Sequence, residues 1–105
     1  MGQNPMKDRR LELDVILKGL CPNVYFEPPS SVKMTYPAIR YRRSNLDSLH
    51  ADNLPYLVDA AYEVIVIDRD PDSAIVYAVS QLPFTRHNRH YYAENLSHDS
   101  FTIYH

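Results

Sequence analysis

The residues best equipped for chemistry sit near the C-terminus, where His87, His90 and His98 fall close to Asp99. Imidazole nitrogens and a carboxylate form the donor set of a zinc-type centre. The spacing of His87 and His90 argues against one, because on a strand they point to opposite faces and no helical His-Glu-x-x-His context surrounds them. They are expected to be exposed or interfacial hydrogen-bonding side chains, with no metal site. Asp68, Asp70 and Asp72 alternate as in a calcium loop, yet Pro71 and the missing glycine and distal glutamate break that pattern. Helix capping accounts for them: Asp70 caps, Pro71 takes the first helical position, and Asp72 sits at the positive end of the dipole. No Gly-x-Ser-x-Gly elbow exists, and no motif places a histidine beside Cys21, which reads as a small buried hydrophobe. The chain holds only 2 glycines, which leaves little scope for a phosphate-cradling loop. Neither catalysis nor a cofactor is expected.

Two segments interleave cations with aromatics, Arg40-Tyr41-Arg42-Arg43 and Arg86-His87-Asn88-Arg89-His90-Tyr91-Tyr92. That is the composition of single-strand-binding surfaces. A net charge of -2 over 105 residues opposes nucleic-acid binding as the main function. A solvated face, or a subunit contact pairing these arginines with a neighbour's carboxylates, fits better. The 9 tyrosines, with no tryptophan, suit surfaces buried on one side and wet on the other. A lone cysteine rules out an internal disulfide and favours a reducing compartment. No apolar stretch approaches the roughly 20 residues of a membrane span, and no signal-peptide core is present, so a soluble intracellular chain without membrane contact is expected.

The elements that must position these residues follow from periodicity. Asn4-Pro5 reads as an N-cap and a first helical proline, opening a helix to about Leu20 whose core stripe is Met6, Leu13, Ile16, Leu17 and Leu20. Leu11 and Val15 fall on its opposite side, where a lone domain places polar residues. Val24 to Glu27 is a short strand stopped by Pro28-Pro29. A second strand, from about Pro37 to Arg43, sets Ile39 and Tyr41 on a core face and Ala38, Arg40 and Arg42 on the other. Residues 44–55 read as a long polar loop containing Leu46, Leu49, Asp52 and Asn53. The central strand runs from Leu57 or Ala60 to Ile67, through Tyr62-Glu63-Val64-Ile65-Val66-Ile67, and leads into a helix with Ala74, Ile75, Ala78, Val79 and Leu82 inward and Tyr77 outward. Two final strands, Phe84 to Tyr92 and Ser100 to Tyr104, flank a polar turn over 93–99. The expected fold is a single α+β domain of order α-β-β-β-α-β-β, one mainly antiparallel sheet with two helices on one face.

Several phrases together carry a resemblance: Val24-Tyr25-Phe26-Glu27-Pro28-Pro29, Tyr36-Pro37-Ala38-Ile39-Arg40-Tyr41, the strand-to-helix run Tyr62 to Leu82, Asp52-Asn53, and Arg89-His90-Tyr91 followed by Phe101-Thr102-Ile103-Tyr104. With the element order, they make the chain from Met6 onward similar to the small tail terminator or tail completion proteins of long-tailed bacteriophages. The resemblance implies a structural protein of the virion tail, assembled in the host cytoplasm as a ring, usually a hexamer. Such a ring caps the head-proximal end of the tail tube, stops its polymerisation and meets the head connector. It implies three partners, namely further copies of the chain, the tail tube protein and the head-tail connector protein. DNA would pass through the lumen without specific binding, which suits a mildly acidic protein lacking a continuous basic stripe. The family offers no catalytic motif to transfer. On the residue reading, Leu11, Val15, Arg40, Arg42, Leu46, Leu49, Asp52, Asn53 and Tyr77 are the candidate subunit or tube contacts. A head-to-tail neck component and a small nucleic-acid-binding module using Arg40, Arg42, Arg43, Arg86 and Arg89 stand as alternatives.

Overall fold

A computed structural model, which describes the backbone of residues 5–51 and 54–105 and the side chains of residues 6–44 and 60–105, arranges the chain as seven elements. They are α1 (Pro5–Leu20), β1 (Val24–Phe26), β2 (Ala38–Ala51), β3 (Leu54–Asp68), α2 (Ala74–Ser80), β4 (Thr85–Ala93) and β5 (Leu96–Tyr104). The strands form one sheet in the order β1-β2-β3-β5-β4, in which only β1 and β2 run parallel. This is the expected small α+β domain. Its centre is β3, apolar on both faces as a strand flanked on both sides should be.

Both helices cover one face of the sheet. Leu13 and Leu17 from α1 and Val79 from α2 meet Ile39, Tyr41, Tyr62, Val64, Val66, Phe101 and Ile103 in a single buried cluster. Cys21 closes that cluster and is buried as expected, and burial pushes its thiol pKa up. Ile16 departs from the expected stripe: it lies on the shoulder of the helix and is 39% exposed. On the helix-free face a smaller cluster of Ile65, Ile67 and Leu96 packs under Met34 and Tyr36 of the β1–β2 connection.

A polar tie holds α1 to the sheet. The Tyr41 hydroxyl donates to Asp14 Oδ1 at 2.6 Å, and Lys18 pairs with the other carboxylate oxygen at 2.7 Å. Burial alone would raise the Asp14 pKa, but the Lys18 and Tyr41 hydrogen bonds outweigh it and hold the group below its ordinary 3.8. A depressed carboxylate stabilises the fold above its unfolded pKa and loses that contribution as pH falls through the native value. Asp14→Asn is therefore expected to cost about 1–3 kcal/mol near pH 7. The gap between variant and parent should narrow as pH falls below 3.8 and through the native Asp14 value, as read from urea unfolding over a descending pH series.

The structure corrects four local expectations. Residues 44–51 and 54–55 are strand, not loop. β2 and β3 continue as an antiparallel ladder out to the pair Ala51↔Leu54. Beyond Ala60, which bonds His105 through the backbone, β5 no longer accompanies β3, and β1 leaves β2 after Tyr41. The ladder thus projects as a two-stranded ribbon, in a molecule measuring 51 × 26 × 22 Å. At α2 the cap is Ser73, whose hydroxyl oxygen accepts from the Ile75 N–H, and not Asp70 with Pro71. Asp68 and Asp70 are engaged earlier, accepting from the N–H groups of Asp70 and Asp72 in successive Asx turns. The β4–β5 turn is only Glu94-Asn95, both at positive φ, so β5 starts at Leu96. The fourth correction concerns the histidines.

Candidate assembly surfaces

β4 and β5 bring the histidines together by a device that simple alternation misses. Register shifts between His87 and Arg89, so Asn88 is an extra residue and reverses the parity of the strand. His87 and His90 consequently share a face. Their Nε2–H and Nδ1–H groups donate to the same oxygen, Asp99 Oδ1, at 3.0 and 2.9 Å. The Asp99 side chain is only 7% exposed, whereas both imidazoles reach solvent. His98 points to the other face, donates from Nδ1 to the Leu96 carbonyl at 3.1 Å, and stacks on Tyr91. The polar run Ser97 to Ser100 is therefore a buried strand segment, not a turn, in which the Asp99 and His98 side chains are hydrogen-bonded. Among the described residues no group of three histidine, cysteine or carboxylate side chains is arranged to hold a metal ion. The cluster ties the edge strand to the sheet. Asp99→Ala removes the shared acceptor and is expected to cost about 1.5–3 kcal/mol, measurable as a lowered urea midpoint.

The candidate contacts divide over two sides of the sheet. Leu11 and Val15, one helical turn apart, lie on the outward side of α1, at 42% and 71% exposure. Tyr77 stands outward on α2 at 70%. Val15 and Tyr77 are largely uncovered by the described chain, and Leu11 in part. Leu46 and Leu49 belong to the ribbon section of β2, and their side chains lie outside the described residues, as do Asp52 and Asn53 entirely.

A neighbouring surface escaped the sequence reading. At the flank of α1 a groove of about 230 Å³ is lined by Leu13, Ile16, Leu82, Pro83, Phe84, Ile103, Tyr104 and His105. Phe84 stands on its rim 80% exposed, with φ at 56°. A phenylalanine at positive φ is strained and an exposed one gains no burial, so local folding does not explain its placement. The only signal in the sequence was Leu82-Pro83-Phe84, an apolar triplet directly after a helix end.

Arg40 and Arg42 lie on the opposite, helix-free side, and the register shows what accompanies them. One row across the sheet is Arg42, Glu63, Thr102, Arg86; the next is Arg40, Ile65, Ser100, Arg89. Paired residues share a face, so each row carries an arginine on both flanks of a narrow central strip. Arg42 Nε donates to Glu63 Oε1 at 2.8 Å, a bond that raises the Arg42 pKa. Arg89 lies over the Tyr91 ring, 4.6 Å from its centroid. A cavity of about 370 Å³ opens beside Arg40 and Arg42, bordered by Glu27, Pro28, Tyr41, Glu63 and Ile65. This face thus gathers four arginines on its two flanks, separated by Glu63, Ile65, Thr102 and Ser100. Arg43 is not part of it, since it shares the helix side with Tyr62.

No family model, curated protein or solved structure matches the chain. No helix among the described residues is long and apolar enough to cross a membrane.

Proposed function

We propose that this chain is a structural assembly protein of a phage tail, closing into a ring that caps the head-proximal end of the tail tube. The ring stops tube polymerisation and joins the tube to the head connector. One observation carries the reading: the β2–β3 ribbon extends past every strand of its own sheet and pairs only with itself. An isolated two-stranded ribbon is marginal in water, so a partner surface is the natural place for its stabilisation. Exposed Leu11, Val15 and Tyr77 support the same reading, because a ring subunit needs two different patches that close by rotation. The partners are further copies of the chain, tube protein and connector protein, and the place of action is the tail, after assembly in the host cytoplasm. The resemblance in sequence supplies the identity of the tube; the exposed surfaces support only the assembly role. Deleting the gene tests it: overlong tails are expected, whereas tails of normal length on headless particles would favour a neck component instead.

The arginine rows favour a second reading, a nucleic-acid-binding module using Arg40, Arg42, Arg86 and Arg89. It requires salt-dependent retardation of single strands, with log affinity falling as log salt rises.

A further inference from the structure

Resting on the ring reading, we infer that the helix-free sheet face is a carboxylate-binding surface whose occupant is the acidic turn 68–72 of a second copy of this chain. The face bears Arg40, Arg42, Arg86 and Arg89, against which stand Glu63, engaged by Arg42, and Glu27 at the rim. Among the described residues the Arg40 and Arg86 guanidinium groups have neither an ion pair nor a hydrogen-bond partner, and Arg40 is half-buried beside the cavity. A guanidinium held partly out of water without a counter-charge is poised for a planar, bidentate acceptor.

The same chain offers that acceptor elsewhere. In Asp68-Arg69-Asp70-Pro71-Asp72, residues 69–72 are exposed, and Arg69 makes no ion pair among the described residues. The turn is rigid for its length: the Asp70 N–H donates to Asp68 Oδ1 at 3.1 Å and the Asp72 N–H to Asp70 Oδ1 at 2.9 Å. Ordering it on binding therefore costs little further entropy. It sits at the end of β3, whereas the arginines lie on β2 and on the edge strand β4, either side of the central strands. A turn on one surface meeting a face on another is a heterologous contact, the kind that propagates head to tail and closes a ring. Complementary charge fixes its register and rejects wrong partners. Single-stranded nucleic acid is the competing occupant, and the experiment separates the two.

The test measures self-association of the full chain by light scattering and native mass spectrometry. Three variants are compared with the parent: Arg40→Glu with Arg86→Glu, Asp70→Lys with Asp72→Lys, and all four changes in one chain. Each pair is expected to weaken association at least about tenfold, and the fourfold variant to return within about threefold of the parent, as coupled charges across an interface require. Asp70→Asn with Asp72→Asn keeps the Asx-turn acceptor and should also weaken association, which guards against a misfolded turn. Parent-like association in both charge-reversed pairs overturns the inference and leaves the ring reading standing. So does additive loss in the fourfold variant without recovery. Loss of single-strand retardation in Arg40→Glu with Arg86→Glu, with association unchanged, overturns it in favour of nucleic acid. A parent chain that stays monomeric both alone and with tube protein overturns the ring reading and this inference together.

Discussion

Replacing residues 47–59 with an Asn-Gly turn is expected to yield a folded chain that no longer associates or caps tubes. The replacement leaves Leu46 opposite Ala60, a pair already aligned in the ladder, so a two-residue turn closes it without a change of register. Every core residue among the described side chains stays in place, those of β3 running from Ala60 onward. Among the described residues, 47–51 and 54–59 pair only with each other, and a shorter connection lowers the entropy lost on folding, so stability should shift by no more than about 1 kcal/mol. Association and capping should fall by about a hundredfold or more if the ribbon supplies a main contact, as interface anchors typically do. Unfolding by urea and particle mass by light scattering check the two halves. A truncated chain that still forms the parent's particle would remove the ribbon from the account.

Phe101→Ala is the substitution expected to damage the fold most. Phe101 is fully buried in the cluster on the helix-covered face, paired with Val64 and in edge contact with the His87 ring, 5.1 Å between centroids. Removing a buried ring loses both transfer free energy and packing around the cavity, about 3–5 kcal/mol. A domain of this size has roughly 5–15 kcal/mol in total, so the variant should be largely unfolded in mild urea. It also withdraws the surface against which His87 rests, and the Asp99 hydrogen bonds should become more mobile with it. Circular dichroism against urea concentration reads the loss. A midpoint within error of the parent would mean that this ring is not central to the core.

These expectations rest on parts of the molecule that were unequally legible in the sequence. The central strand, both helices and the division of β2 into a core face and an arginine face were legible, because burial on a face imposes a period of two or 3.6. The ribbon was not. No third described strand pairs with β2 and β3 there, so no neighbour marks the segment as part of a sheet, and Pro55 with Ser44, Asp47, Ser48, Asp52 and Asn53 gives the composition of a loop. The histidine pair was hidden by one residue: nothing about Asn88 announces a bulge, yet inserting it turns an opposed pair into a shared face. Asp70 was misassigned because the helix begins only at Ala74, which gives the capping position to Ser73, while Asp70 accepts from the Asp72 N–H in an Asx turn. The outward Leu11, Val15 and Tyr77 were legible as departures from helix amphipathicity. The breadth of the basic face was not, because Arg86 and Arg89 join Arg40 and Arg42 only through the register of four strands.

Native mass spectrometry of the purified full chain, alone and with tail tube protein, tests the central claim most directly. Closed particles of several subunits, or their formation on tube ends, are the predicted result. A single subunit mass in both conditions, at concentrations well above micromolar, would contradict it.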